Sequence, residues 1–249
     1  MSETVPASGS SSFSVPADVG VNRFTVIPAS TQSSTTLPIS DSGSPPGIGV
    51  KRRYVRAFDI TVALLLIAMT CPVLVIAVIL VGVTSPGPVI FRQARYGQHG
   101  HPFIMFKLRT MYDGAAGMLS SDAWLHDSFR QQWKLKDDPR ITRVGKWLRR
   151  TSIDELPQLI NILRGEMSIV GPRPVQMDEI AECYRDMADV VYSIRPGLTG
   201  LWQVAGRSTV SYEERIALDL EYLRRRSFWF DLSLVLRTVP AVLFMRGAA

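Results

Sequence analysis

An uncharged apolar run over residues 60–83 limits the folds open to this 249-residue chain. By the usual criterion of ~20 apolar residues, the run is long enough to cross a bilayer as a helix. Pro72 lies in its middle, where proline removes a helix hydrogen bond and favours a sharp kink. Each half is then about 18 Å long, short of the ~30 Å hydrocarbon layer. We therefore predict a re-entrant helix-break-helix with its membrane break at Pro72; a kinked helix that still spans is the alternative.

Positive charge flanks both ends of this run. Lysine and arginine dominate residues 51–56, and Arg92 and Arg95 follow the run. Since positively charged flanks tend to stay in the cytoplasm, we expect both ends on the cytoplasmic face. The formal net charge of +6 favours anionic membrane lipid and phosphorylated substrates as partners. Nucleic acid is not expected, because the basic residues are scattered among aromatic ones and no nucleic-acid-binding motif occurs.

Composition divides the chain into three parts. Residues 1–50 are rich in Ser, Thr and Pro and read as a disordered tail without a secretory signal. Residues 51–86 form the membrane element, and residues 87–249 form a domain on the cytoplasmic face. Cys71 and Cys183 are the only cysteines, so neither a disulfide framework nor a zinc cluster is indicated.

The domain is predicted to be mainly α with a small β-hairpin, an α+β fold. Two strand-like segments, residues 89–92 and 103–107, surround a turn rich in glycine and histidine. Residues 112–135 are predicted to form an amphipathic helix, and its aromatic residues Trp124, Phe129 and Trp133 could lie at a lipid interface or in a core. The segment from Ser211 to residue 226, with the aromatic residues 228–230, is predicted to form an interfacial amphipathic helix, and residues 232–244 could lie in the interface or pack on the protein. A capping box at Ser211 and Glu214 marks the start of the interfacial helix.

Lys107 and Arg109 stand two residues apart at the end of the second strand. On an extended chain this spacing would direct both side chains to one face, as a pair of positive charges for phosphate. A solvated strand face fits the same spacing.

Two adjacent carboxylates, Asp154 and Glu155, follow Arg149 and Arg150 closely. An ionised carboxylate is a nucleophile or a metal ligand, and nearby positive charge at a helix start is expected to keep it ionised. The alternative is a plain helix cap, with Ser152 and Glu155 as a capping box. Pro157 weighs against that alternative, because it would then lie inside the helix; the helix is expected to begin nearer Glu155.

Two further loops each present an arginine. Pro172 and Pro174 fix the backbone around Arg173, as a site for a planar base or a diphosphate would require. Arg195 opens a second Pro-Gly loop. Taken alone, either loop could be an ordinary surface turn.

Several motifs in a fixed order closely resemble those of the bacterial sugar transferases, monotopic enzymes that transfer a sugar 1-phosphate to a polyprenyl phosphate. The motifs are FRQ (91–93), KLRTM (107–111), DPRIT (138–142), LRRTSIDELPQ (148–158), GEMSIVGPRP (165–174) and RPGLTG (195–200). The resemblance extends from about residue 51 to the C-terminus and leaves the tail unexplained. It is to the short form of the family, which consists of the catalytic unit alone. Cys71 stands where the family has serine before the proline of the membrane break.

The resemblance implies a reaction in which Asp154 attacks the sugar-linked phosphate of a UDP-sugar, releases UMP, and carries the phosphosugar until the lipid phosphate takes it. Asp154 would also bind Mg²⁺, with Glu155 as its partner in metal or proton handling. Arg149 would hold a phosphate and Arg173 would contact the uridine. The expected substrate-binding set is completed by Lys107, Arg109, Pro172, Pro174 and Arg195.

The implied place of action is the cytoplasmic face of the bacterial inner membrane, in the first membrane step of exopolysaccharide or other surface-glycan synthesis. UDP-sugar and polyprenyl phosphate are the expected substrates, and a homodimer and downstream glycosyltransferases are possible partners. Two alternatives stay open at this point. Transfer could be direct, with Asp154 only holding Mg²⁺, or the chain could be a non-catalytic membrane adaptor for polysaccharide assembly.

Overall fold

The computed structural model describes residues 52–115, 117–118, 138–205 and 211–243. The predicted tail and the aromatic stretch containing Trp124, Phe129 and Trp133 lie outside the described residues. Within these limits the fold is mainly helical with a small antiparallel hairpin, as the sequence predicts.

The apolar run lies within helix α1, Arg52–Thr84. Helical backbone is assigned without interruption through Pro72, so the predicted gap between two helices is not seen there. Proline removes only one backbone donor, and the remaining helix hydrogen bonds can hold the segment together. Among the described helices, α1 is the only one long and apolar enough to cross a membrane. The re-entrant path stays a prediction.

Both halves of α1 pack on the rest of the described chain. In the first half, buried Ala63 belongs to the main hydrophobic core, together with Leu159 and Ile162. In the second half, buried Ala77 and Val81 join a separate cluster with Leu108 and Leu148. Much of the middle of α1 is exposed, and Met69 is 77% exposed.

Hydrogen bonds fasten both ends of α1. Near its start, Arg56 donates to the carbonyls of Ile162 and Leu163, and buried Asp59 accepts from the hydroxyl of Ser168 at 2.8 Å. Just beyond its end, the carbonyl of Ser85 accepts from Arg109. Both ends of the apolar helix are therefore held by residues that follow it in the chain.

Two small sheets organise the domain. Strands β1, Ile90–Arg95, and β2, Phe103–Leu108, form the predicted antiparallel hairpin, in which Arg92 pairs with Phe106 and Phe91 with Lys107. Strands β3, Ser168–Val170, and β4, Gly197–Thr199, pair in parallel, which the sequence did not predict. A Cβ at Gly197 would lie 2.1 Å from the backbone nitrogen of Gly171, so this approach requires glycine.

Eight helices are assigned in the described residues, together with short turns of 3₁₀ or π geometry. After α1 they are α2 (Arg143–Thr151), α3 (Gln158–Arg164), α4 (Met177–Glu179), α5 (Ala188–Val191), α6 (Leu201–Ala205), α7 (Tyr212–Arg225) and α8 (Phe228–Leu243). The capping box predicted at Ser211 and Glu214 is confirmed at the start of α7. Helix α8 buries Leu234 in the main core and leaves Trp229 75% exposed.

Candidate active site

A tight turn between α2 and α3 carries the acidic pair. Ser152 has a left-handed backbone with φ of 58°, and its N–H donates to the carbonyls of Arg149 and Leu148. Residues Ile153–Glu155 then form one turn of 3₁₀ helix, and α3 begins after Pro157. Ser152 therefore ends α2, and its side chain makes no capping bond to the next helix, so the capping-box alternative is wrong.

Asp154 is buried, with 6% of its surface exposed. Burial and, to a lesser extent, the charge of neighbouring Glu155 raise the pKa of this carboxyl to about 6, although the charges of Lys107 and Arg149 oppose the shift. The sequence led us to expect that positive neighbours would dominate and favour ionisation. Burial outweighs them here, because removing a carboxylate from water strongly disfavours its charged form.

Lys107 connects the hairpin to the acidic turn. Its Nζ donates to Oε1 of Glu155 at 2.9 Å, and both side chains are largely shielded from solvent. Lys107 therefore binds Glu155 directly. It acts on Asp154 through its charge, which lowers the pKa of Asp154.

Arg149 lies in the last turn of α2, and its charge lowers the pKa of Asp154. Its Nε donates to the hydroxyl of Thr110 at 2.8 Å. Burial lowers the pKa of Arg149, and the charges of Asp154 and Asp138 oppose that shift. A Cβ at Gly145 would lie 2.0 Å from the carbonyl oxygen of Thr110, so glycine lets α2 approach closely enough for this contact.

The DPR motif forms a buried ion pair next to Arg149. Nε and one terminal nitrogen of Arg140 donate to the two carboxylate oxygens of Asp138, at 2.9 and 2.7 Å. Burial alone would raise the pKa of Asp138, but the hydrogen bonds and charge of Arg140 outweigh it and lower the pKa overall. Asp138 therefore stays ionised and adds a negative charge behind Arg149.

A cleft opens in front of the acidic turn, and we call it the basic cleft. It is lined by Arg95, Met105, Lys107, Glu155, Gln158, Arg173, Pro174, Gly197, Leu198 and Gln203. Three of these residues are cationic, which suits a multiply charged anion such as a diphosphate.

Arg173 is held in this cleft from two directions. Its carbonyl accepts a hydrogen bond from the Tyr192 hydroxyl at 2.7 Å, and its guanidinium carbon lies 5.5 Å from the ring centroid of Trp202. The carbonyl of Pro172 accepts from the N–H of Gly197 at 2.8 Å, which joins the two proline loops. These contacts hold the backbone and the guanidinium of Arg173 in place, as the sequence led us to expect.

The structure does not bring Arg109 or Arg195 into the basic cleft. Arg109 is buried and donates to the backbone carbonyls of Ser85 and Pro88, so it does not share a face with Lys107 as expected. The chain has left β2 at Leu108, which ends the strand alternation on which that expectation relied. Arg195 lies near Gly165 and influences Asp59 electrostatically, at the side where α1 begins.

Arg95 belongs to the site and was missed in the sequence. It is buried and forms an ion pair with Glu179 at 3.3 Å, while another nitrogen donates to Gln93 at 2.6 Å. Burial lowers the pKa of Arg95 to about 10, and the positive charge of Arg173 contributes to the shift. The signal that could have found it is the alternation of β1, since Gln93 and Arg95 share the face of the hairpin that carries Lys107.

The donor set can be tested for fit to Mg²⁺. Among the described residues, no group of three or more His, Cys, Asp or Glu side chains could hold a metal. Asp154 and Glu155 supply two carboxylates, and Mg²⁺ commonly binds through one or two carboxylates, water and the phosphates of a substrate. The pair therefore fits an ion that arrives with a diphosphate and does not form a complete protein cage.

Buried Asp154 and half-buried Glu155 lie close to several cations, and the described part of the chain includes a long apolar helix. These features define an enzyme for anionic substrates that is built to meet a membrane. Comparison with known proteins gives the class a family. The chain belongs to the bacterial sugar transferases, whose family model matches residues 50–245.

Named relatives show how far the similarity extends. The chain is 40% identical over 227 residues to the exopolysaccharide production protein ExoY of Sinorhizobium fredii, an alignment that covers 88% of this chain and 99% of ExoY. It is 42% identical over 218 residues to the UDP-glucose:undecaprenyl-phosphate glucose-1-phosphate transferase of Caulobacter vibrioides, covering 85% and 77%. The Escherichia coli protein of the same name is 38% identical, with 88% of this chain and 46% of that protein covered. The expected resemblance is confirmed, and the chain is a sugar transferase enzyme.

Proposed function

We propose that this enzyme transfers a sugar 1-phosphate from a UDP-sugar to polyprenyl phosphate and releases UMP, as the first membrane step of exopolysaccharide synthesis. Two relatives align with this chain over most of their length. One is an exopolysaccharide production protein, and the other is a UDP-glucose:undecaprenyl-phosphate glucose-1-phosphate transferase. The observation that carries the proposal is the basic cleft, where Arg95, Lys107 and Arg173 line one cavity with Glu155, the neighbour of Asp154.

Asp154 is the proposed nucleophile. One of its carboxylate oxygens attacks the sugar-linked phosphorus, and the bond from that phosphorus to the bridging oxygen breaks as UMP leaves. An oxygen of the lipid phosphate then attacks the same phosphorus, and the Asp154 carboxylate departs. Because only the ionised carboxylate attacks, its raised pKa makes the nearby charges of Lys107 and Arg149 important.

Residues of the cleft and around the acidic turn neutralise charge and position the substrate. Lys107 and Arg149 reduce the negative charge that gathers when a diphosphate approaches two carboxylates. Arg173, fixed by Tyr192 and Trp202, is placed to contact the uridine or its phosphate. Mg²⁺, held by Asp154 and Glu155 together with the substrate phosphates, would neutralise charge on the transferred group.

We infer from the packing of α1 that the helix is re-entrant, and we propose that the domain lies on the cytoplasmic face. Arg56, near the start of α1, and Ser85, just beyond its end, both bond to the domain that follows. A single domain bonded to both ends of the helix favours a path that enters and leaves the bilayer on one side. Phe58 of α1 also meets Phe228 edge to face at 5.6 Å, which brings exposed Trp229 near the membrane helix as an interfacial anchor.

The test is UMP release by the purified protein with Mg²⁺, polyprenyl phosphate and a panel of UDP-sugars. The panel should include glucose, galactose and N-acetylated sugars. We expect one sugar to give lipid-dependent turnover. Absence of UMP from every UDP-sugar, with folded protein in a bilayer, would refute the proposed reaction.

A further inference from the structure

A second groove lies on the opposite face of the hairpin from the basic cleft. We call it the arginine groove; it measures about 220 Å³ and is lined by Ile90, Arg92, Phe106, Pro157, Ile160 and Arg164. Successive side chains of a strand point to opposite faces, so Ile90, Arg92 and Phe106 cannot share the face that carries Lys107. None of the residues that line this groove has a role in the reaction proposed above.

Two arginines rest on an aromatic ring in this groove. The guanidinium carbons of Arg164 and Arg92 lie 4.9 and 6.0 Å from the ring centroid of Phe106. Among the described residues, neither arginine forms an ion pair with a carboxylate. A guanidinium packed on a ring keeps N–H donors in its own plane, and these suit bidentate binding of a phosphate.

The remaining lining of the groove is apolar and adjoins the membrane helix. Ile160 is 46% exposed beside buried Pro157. At one end of the groove, Ile90 packs with Ala77 and Val81 of the second half of α1. Arg56, in the first half of α1, donates a hydrogen bond to the carbonyl of Leu163, the residue before Arg164. Residues in the groove or next to it in the chain thus contact both halves of α1.

The groove lies close to the acidic turn in the chain, because its lining residue Pro157 follows Glu155 by two residues. A ligand in it would combine an anionic head for two arginines with an apolar body for Ile90, Phe106 and Ile160. A nucleotide does not meet this description, since apart from the two guanidinium groups the lining side chains offer no polar partner for a base or ribose.

We propose that the arginine groove binds the phosphate and first isoprene units of the lipid acceptor, an isoprenoid monophosphate. The proposal rests on the proposed function. It gives donor and acceptor separate faces of one hairpin, with the acidic turn between them. Arg92 and Arg164 hold the acceptor phosphate, and Phe106 and Ile160 contact its chain.

Direct binding of farnesyl phosphate tests the proposal without turnover. The full chain is placed in nanodiscs of neutral phosphatidylcholine, and binding is compared for the wild type, the double variant Arg92→Gln with Arg164→Gln, and Arg143→Gln as the control. Arg143 is exposed at the start of α2 and outside both sites. We expect at least about tenfold weaker binding by the double variant, because each arginine supplies a charge-assisted bond, and unchanged binding by the control. Inorganic phosphate or phosphatidylglycerol at equal concentration should not displace the probe.

A second variant guards against loss of folding. Ile160→Asn changes an exposed side chain, and we expect it to weaken farnesyl phosphate binding several-fold while UDP-sugar binding stays unchanged. Equal binding by wild type and double variant, weakened UDP-sugar binding in either variant, or displacement by inorganic phosphate would overturn the proposal. A wild type that binds the probe but releases no UMP would instead refute the proposed reaction and leave the groove in place.

Discussion

The Nζ atom of Lys107 lies 2.9 Å from Oε1 of Glu155, which joins the hairpin to the acidic turn. The lysine charge also acts on buried Asp154, whose pKa it lowers against the effect of burial. One side chain on β2 therefore binds Glu155 and lowers the pKa of Asp154.

Replacing Lys107 with methionine should lower the rate of sugar-phosphate transfer by about 100-fold at neutral pH. Without the lysine, the pKa of Asp154 rises further above 6, so the pH at which activity is half-maximal should move upward. Steady-state rates across pH measure both effects. Lys146→Met, a change at an exposed lysine of α2, is the control and should leave the pH profile unchanged. If the pH profile of Lys107→Met is the same as that of the wild type, the lysine does not affect the ionisation of Asp154, and the prediction is wrong.

Asp219 gives a prediction about stability. Burial raises the pKa of this carboxyl on α7 to about 8, with the charge of Arg215 opposing the shift. The folded protein therefore keeps a proton that the unfolded chain releases near its ordinary pKa, so stability falls as pH rises from about 4 and the loss is complete above about 8. Asp219→Asn should lack this decline. Thermal unfolding from about pH 5 to about pH 9 should show a variant similar to wild type at low pH and more stable at high pH; parallel curves would contradict the pKa shift.

Arg173 and Arg195 should differ although each belongs to a Pro-containing loop. Arg173 lines the basic cleft, whereas Arg195 lies near Gly165 and the start of α1. Arg173→Gln is expected to raise KM for the UDP-sugar about tenfold, because a charge-assisted contact is lost. Arg195→Gln should lower the unfolding temperature with little effect on KM. Equal KM changes in the two variants would mean that Arg195 reaches the donor.

Much of the local structure follows from short sequence signals. The hairpin and the capping box at Ser211 were predicted because alternation and capping act within a few residues. The capping box proposed at Ser152 failed because this residue ends the preceding helix instead. Ser152 takes a left-handed conformation to end α2, and the same residue cannot then begin the next helix in the usual extended conformation.

The parts of the site that were missed depend on long-range packing. Strands β3 and β4 have three residues each, too few to show a periodic pattern, and their pairing sets the two proline loops side by side. Arg109 lies one residue beyond β2, where alternation no longer gives its direction. Sequence motifs identified Asp154 and Glu155 as a candidate site. The burial of Asp154, which raises its pKa, was seen only in the structure.

The path of α1 can be tested by cysteine accessibility in the background Cys71→Ser, Cys183→Ser. Tyr54→Cys lies near the start of the helix and Pro86→Cys just after its end, and both positions are exposed. Because the same domain holds Arg56 and Ser85, we expect an impermeant thiol reagent to reach neither cysteine until the inner membrane is opened. Labelling of only one of them in intact spheroplasts would indicate a spanning helix.

The most direct test of the account is a search for sugar phosphate bound covalently to Asp154. The protein is incubated with Mg²⁺ and a UDP-sugar labelled in the sugar, without lipid acceptor, then denatured and mapped by mass spectrometry. We predict one sugar phosphate on the peptide that contains Asp154, its loss on adding polyprenyl phosphate, and no label in Asp154→Asn. UMP release only when lipid is present, with no labelled protein, would contradict the nucleophile and favour direct transfer.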